Sequence, residues 1–217
     1  MLDLQAFQCE GALRLPGLFA AGQMDALYEL PTDGPGVRLR DPRLHDLIAP
    51  ATTAASTLLA APARPVRAVL FDKTPEANWL VAWHQDRTIS VQVRVETPGF
   101  GPWSRKDGAL HVAPPVRVLE GMATLRIHLD PVGPGNAPLR VALGSHRIGL
   151  VPAAEAAARA AAFPQAECLA EPGDVWAYAT PILHASDRSR TPARRRVLQV
   201  DYATADLPGG LAWAGVA

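Results

Sequence analysis

Two triplets in this sequence set an imidazole and a carboxylate two residues apart, His84-Gln85-Asp86 and His128-Leu129-Asp130. On an extended segment, residues i and i+2 leave the same face, so either pair can offer two donors to one metal ion. A third donor must come from elsewhere in the chain. His184 is placed for it, because it follows a strand-like run, Val175 to Thr180, that opens from a Pro172-Gly173-Asp174 turn. Two imidazoles and one carboxylate cover one face of an octahedral ion and leave three positions open, which suits ferrous iron that binds both a cosubstrate and oxygen. Spacing alone does not choose between the triplets, and an isolated triplet of this kind also fits a surface ion pair or a satisfied core histidine. Asp130 precedes Pro131 and a Gly133-Pro134-Gly135 turn, which favours a strand end there. His111 and His146 have no partner at ligand spacing and read as structural. Cys9 and Cys168 match no metal-binding spacing and read as ordinary buried or half-buried thiols.

The stretch after His184 carries a second chemistry. Ser186 lies two residues on, and Arg194-Arg195-Arg196 follows ten to twelve residues on. If the run from Arg196 to Tyr202 is a strand antiparallel to the His184 segment, one of these arginines returns beside the metal. A guanidinium there clamps the distal carboxylate of an oxo-acid through paired hydrogen bonds, a geometry lysine does not reproduce. The other two arginines read as a solvated turn. Candidate substrate contacts are Lys73, on the segment approaching His84, and Trp103 and Lys106, in a long stretch of irregular composition. Arg126 is a fourth, sharing the parity of Thr124 and His128. If two or more of these cations face inward, an anionic small-molecule substrate is expected, because an unpaired buried charge is costly.

These residues need a scaffold. A short strand is expected near Ala12 to Leu15, a helix around Ala21 to Leu30, and a longer helix from about Pro42 to Ala60 with Asp41 as its N-cap. Strands are expected at Val66 to Phe71, Trp79 to Trp83, Ile89 to Val95, Ala123 to Leu129, Leu139 to Leu143, Val175 to Thr180 and Arg196 to Tyr202. An Ala-rich helix is expected near Ala153 to Ala162. Residues 96–119 read as a loop long enough to be a lid. Many short strands preceded by helices point to a β-sandwich or jelly-roll core with helices on one outer face.

A chain of 217 residues fits one domain, expected as a helical region over about 1–64 and a β core over about 65–205. The 21 basic and 21 acidic residues cancel, which argues against nucleic acid or an anionic membrane as partner. All the basic residues but Lys73 and Lys106 are arginine, so one arginine by itself says little. No run is long and apolar enough to span a membrane and no signal segment is evident, so a soluble cytoplasmic protein is expected. Oligomeric state is not legible.

As a set, several stretches resemble the phytanoyl-CoA dioxygenase family. They are Trp83-His84-Gln85-Asp86, Thr124 to Asp130, Asn136-Ala137-Pro138-Leu139, Gly144-Ser145-His146, Pro172-Gly173-Asp174, His184-Ala185-Ser186 and Arg195, in the family's order. The resemblance implies a double-stranded β-helix, the cupin-like jelly roll. It implies Fe(II) held by His84, Asp86 and His184, with 2-oxoglutarate on Arg195, Ser186 and Thr124, and O2 as co-reactant. The implied activity is a dioxygenase that hydroxylates or otherwise oxidises a small molecule, with release of succinate and CO2. The resemblance also assigns His128-Leu129-Asp130 to a scaffold strand. Ala137 stands where the family usually has Gly, which should only tighten a turn. A carboxylate at position 86 is not expected to support halogenation. From the residues alone, a non-catalytic cupin-like barrel and an iron oxygenase that does not use 2-oxoglutarate remain as alternatives.

Overall fold

The computed structural model describes residues 2–32, 34–191 and 193–217. Its strands are β1 (Ala12–Leu15), β2 (Gly36–Arg38), β3 (Arg64–Lys73), β4 (Val81–His84), β5 (Ile89–Val91), β6 (Trp103–Lys106), β7 (Ala109–Val112), β8 (Met122–His128), β9 (Leu139–Ala142), β10 (Gln165–Glu167), β11 (Val175–Ala179), β12 (His184–Ser186) and β13 (Arg195–Ala203). The helices are α1 (Leu4–Glu10), α2 (Ala21–Tyr28), α3 (Leu44–Leu47), α4 (Ala49–Leu58), α5 (Val116–Glu120) and α6 (Ala156–Ala160). A six-stranded sheet runs β1-β11-β8-β13-β3-β2 and a four-stranded sheet runs β10-β9-β12-β4. A third, small sheet orders β5-β7-β6. All recorded pairings are antiparallel.

Period-two alternation divides the large sheet into an oily face and a polar one. Leu70, Leu125, Ile127, Leu198 and Val200 point to the helices and are at most 1% exposed, packed with Leu27, Leu44, Ile48 and Ala51. Each such leucine or isoleucine contributes about 1.5–3 kcal/mol by leaving water. The opposite parity, Arg67, Val69, Phe71 and Lys73 on β3, Arg126 on β8, and Arg195, Val197 and Gln199 on β13, lines a cavity shared with β4 and β12. One core therefore anchors the sheet while its other face is free to carry polar chemistry.

Several expectations are corrected. The helix expected from Pro42 to Ala60 is broken at Ile48, because Pro50, in the first turn of α4, has no N–H and clashes with a preceding turn. Asp41 caps no helix: its carboxylate accepts from the Arg43 backbone and guanidinium. The strand expected to Val95 stops at Val91, and Val93 is left 57% exposed with no neighbouring strand to cover it. Residues 96–119 are not a structureless lid. They hold the β6–β7 hairpin, turned at Asp107-Gly108, whose positive φ values (49° and 75°) are those an Asp-Gly turn adopts readily. α1 and β2 went unread in the sequence. Cys9 is exposed, whereas Cys168 is buried.

Candidate active site

β12 and β4 are antiparallel neighbours with His184 directly opposite His84. Cross-strand pairs stand close enough for their side chains to meet, and the two imidazole centroids are 4.2 Å apart. Each ring is pinned by a local hydrogen bond. His84 Nδ1 lies 2.8 Å from the Ala82 carbonyl and His184 Nδ1 lies 3.0 Å from the Ile182 carbonyl. A carbonyl only accepts, so each Nδ1 carries a proton and Nε2 is the ring atom left for a metal. Asp86, just past the end of β4, completes a group whose donor atoms lie within 4.8 Å of one another, the one such cluster among the described residues.

Gln85, between the two ligand candidates, faces the other way and holds their segment in place. Its amide donates to the Gly149 and Pro181 carbonyls at 2.8 and 2.7 Å, and its oxygen accepts from the Val151 N–H at 2.8 Å. Burial pushes the His184 imidazolium down to about 4, against the pull of Asp86, so the ring is neutral at neutral pH. Burial works to raise the Asp86 carboxyl, but His184, Arg67 and His84 outweigh it and hold it below the ordinary carboxylate range. Two imidazoles and one carboxylate on one side of an open cavity are the donor set of the facial triad, and they fit ferrous iron.

The cavity measures about 300 Å³. At one end, Arg195 opens β13 directly across from Lys73 on β3. Arg195 Nη1 donates to the Ala137 carbonyl, which also accepts from Ser186 Oγ at 3.1 Å. Lys73 Nζ donates to the Trp79 carbonyl at 2.7 Å and lies 3.4 Å from Ser186 Oγ. Arg126 donates to Gln199 at 2.7 Å. Burial and the neighbouring Arg195 and Arg126 press Lys73 down to about 8; burial and Arg126 bring Arg195 to about 10. This end of the cavity is therefore short of negative charge.

Arg195 does not arrive by the route its sequence position suggests. β13 is not paired with the His184 strand; it sits between β8 and β3 in the opposite sheet, and reaches the site because the two sheets face each other. Arg194 and Arg196 are ion-paired rather than merely solvated, to Asp72 at 2.8 Å and Asp130 at 2.8 Å. Ala137 does more than tighten its turn: it holds φ at 48°, in the left-handed region, and turns its carbonyl toward Arg195 and Ser186.

Among the other candidates, Lys73, Arg126, Arg195 and Ser186 line the cavity, whereas Thr124, Trp103 and Lys106 do not. The Thr124 hydroxyl is engaged with Thr180 and Asp201, each at 3.1 Å. Trp103, partly buried, packs against the core beneath the small sheet, with the Arg94 guanidinium 5.3 Å from its ring centroid. Lys106 is exposed at the hairpin end. His128 is buried on β8 with neither ring nitrogen partnered among the described residues. Arg67, Arg38 and Asp107 line the cavity without having been singled out in the sequence. The parity of Lys73 along β3 was the available signal for Arg67, and the Asp-Gly pair was the signal for Asp107.

The family model for phytanoyl-CoA dioxygenase (PhyH) matches residues 7–197. The chain belongs to the phytanoyl-CoA dioxygenase family. A search of curated protein sequences gave no match. Among solved structures, it is similar to AviO1 from Streptomyces viridochromogenes Tue57, at 21% identity and TM-score 0.65, covering 95% of each chain. It is also similar to EctD from S. alaskensis with bound Fe, at 19% identity and TM-score 0.70, covering 93% of this chain and 75% of that one. A third is the epimerase SnoN in complex with Fe3+, alpha ketoglutarate and nogalamycin RO, at 16% identity and TM-score 0.68, covering 95% and 89%. The fold is thus the mainly β, cupin-like jelly roll of these oxygenases. This phytanoyl-CoA dioxygenase family member is a non-haem Fe(II), 2-oxoglutarate-dependent oxygenase that takes O2 as co-reactant. Among the described residues, no helix is long and apolar enough to cross a membrane.

Proposed function

We propose that His84, Asp86 and His184 are the iron ligands and that Arg195, helped by Ser186 and Lys73, holds the far carboxylate of 2-oxoglutarate, in a single catalytic unit acting on a small molecule. The observation that carries this reading is the pinned pair of imidazoles facing Asp86 in a cavity that ends in Arg195 and Lys73. When bound, iron would let O2, the oxidant, react with 2-oxoglutarate, whose oxidation to succinate and CO2 would consume one oxygen atom of O2 and leave the oxidising power of the other for the substrate.

The chain's own residues bind, orient and shield. The carbonyls of Ala82 and Ile182 fix the ring orientations, and Gln85 fixes the segment that carries two of the three ligands. Arg195 and Lys73 set the register of the cosubstrate, so its reacting end faces the triad. The Ala137 carbonyl holds the Arg195 fork in place and also accepts from Ser186 Oγ. Val69, Phe71, Val81 and Leu139 supply apolar wall that limits water near the reacting atoms. Cys9 and Cys168 are both free, which supports a reducing compartment such as the cytoplasm. The inward cations support an anionic substrate.

The test is succinate formation from 2-oxoglutarate under air with added Fe(II). Wild type should form succinate in an iron-dependent manner, and Asp86→Ala and His184→Ala should not. Succinate from either variant at the wild-type rate, or none from iron-loaded wild type, would contradict the assignment.

A further inference from the structure

Five cationic side chains line the cavity, Arg38, Arg67, Lys73, Arg126 and Arg195, against the carboxylates of Asp86 and Asp107. Four of the five have hydrogen-bonded partners. Arg67 donates to Asp201 at 2.6 Å and stands 4.0 Å from Asp86, while Lys73, Arg126 and Arg195 are held as described above. Arg38 is the exception, since its guanidinium makes no hydrogen bond among the described residues. Its Nε and Nη1 atoms are buried and unpartnered there. Asp107 approaches Nε only to 3.5 Å, well beyond the roughly 2.7–2.9 Å of a charge-assisted hydrogen bond. The Asp107 side chain is 75% exposed, whereas that of Arg38 is 18% exposed.

Position separates this residue from the cosubstrate. Arg38 on β2 is opposite Val69 on β3, and Lys73, opposite Arg195, is four residues farther along β3. At the rise of an extended strand those two places are about 13 Å apart. The five-carbon chain of 2-oxoglutarate does not reach from Arg195 past the triad to Arg38. Gly36 and Phe71 lie between the two ends and, with Val69 opposite Arg38, offer apolar wall to a substrate body. The two negative charges of 2-oxoglutarate would offset the two positive charges of Fe(II), so together they would leave the excess of cavity cations in place.

We infer that the β2 end of the cavity is an anion subsite in which Arg38 grips an oxyanion, a carboxylate or a phosphate, on the substrate, while Asp107 at the hairpin tip holds Arg38 loosely when no substrate is bound. This rests on the proposed iron and 2-oxoglutarate placement and adds the chemical class of the substrate. Burial and the nearby Arg67 depress the Arg38 guanidinium, and Asp107 and Asp201 only partly restore it, consistent with a charge whose counter-ion is held loosely. A buried guanidinium with no closer partner than this would be costly if nothing ever paired with it more tightly.

The experiment uses the full chain loaded anaerobically with Fe(II) and 2-oxoglutarate. A panel of small carboxylic acids and phosphate monoesters is titrated in, each beside its uncharged amide or alcohol. Binding is read both as a shift of the visible iron–oxo-acid band and as a rise in melting temperature. Members of one acid class should bind and their neutral counterparts should not, and the responding class identifies the oxyanion. Arg38→Gln should weaken the acids by roughly 10- to 100-fold, as loss of charge-assisted bonds implies, while the affinity for 2-oxoglutarate stays as in wild type. Asp107→Asn, which removes the competing carboxylate, should tighten the same acids and keeps the test open if Arg38→Gln misfolds. Equal binding of acids and neutral counterparts, no acid bound, or unaltered acid binding in Arg38→Gln would overturn the inference. Absence of the band in wild type would count against the iron and 2-oxoglutarate assignment instead, and melting temperature would still report on Arg38.

Discussion

Replacing Arg195 by alanine should weaken 2-oxoglutarate binding about 100-fold while leaving iron binding within about twofold. Arg195 is 5% exposed and its fork is held by the Ala137 carbonyl, so a carboxylate meets a donor already desolvated and oriented. A hydrogen bond to a charged group contributes about 1.5–3 kcal/mol, and a forked pair exceeds the single bond. Two effects reduce the loss. Lys73 and Ser186 remain beside the same carboxylate, and removing Arg195 lifts the like-charge pressure that helps press Lys73 down to about 8, so the lysine attracts the dianion more strongly. The net is about 2.7 kcal/mol, or two decades at roughly 1.4 kcal/mol each. Arg195→Lys keeps the charge but not the fork and should cost about tenfold. Anaerobic titration of 2-oxoglutarate into the Fe(II)-loaded protein, followed by the visible band, gives each dissociation constant. A dissociation constant for Arg195→Ala within about threefold of wild type, less than 1 kcal/mol, would refute the placement of the cosubstrate.

Other outcomes follow from single residues. Gln85→Ala strands the Gly149 and Pro181 carbonyls and the Val151 N–H, so it should lower stability by about 2–4 kcal/mol and iron affinity roughly tenfold; unchanged melting and metal titration would count against the clamp. Lys73 is charged below about pH 8, and a dianion beside it raises its pKa, so binding takes up a proton above that pH. The 2-oxoglutarate dissociation constant should then weaken by up to about tenfold per pH unit above about 8, and Lys73→Met should abolish that slope. His128 stays neutral in the fold because burial, with Arg126 and Arg195, depresses it to about 3 from 6.5. Between those values the unfolded chain binds the additional proton, so stability falls as pH drops below 6.5, by on the order of 5 kcal/mol when fully expressed. Denaturant unfolding of His128→Leu should show a shallower loss from pH 6.5 to 4; an unchanged slope would contradict that origin.

The strands and their parity were largely legible, because alternation survives wherever one face packs on helices and the other on a cavity, as in β3, β8 and β13. The triad was legible only in part. His84-Gln85-Asp86 and His128-Leu129-Asp130 have the same spacing, and what separates them is which sheet each occupies. β4 lies next to β12 and so beside His184, whereas β8 lies between β11 and β13, with Asp130 paired to Arg196. Sheet order is a long-range property that a local pattern does not carry. The same limit hid the route of Arg195, which enters from the opposite sheet. The hairpin at Asp107-Gly108 was missed for a different reason: the surrounding Gly and Pro residues suggested a loop, although Asp-Gly between two short runs is itself a hairpin signal. Trp103 was read as a lid residue for that reason and instead packs, partly buried, against the core under the small sheet.

The central claim is that His84, Asp86 and His184, rather than the equally spaced His128 pair, hold the iron that binds 2-oxoglutarate. It is tested most directly by anaerobic titration of Fe(II) and 2-oxoglutarate into wild type, His84→Ala and His128→Ala, reading the visible charge-transfer band. The account predicts the band in wild type and in His128→Ala and its loss in His84→Ala. A band that survives in His84→Ala and disappears in His128→Ala would contradict it.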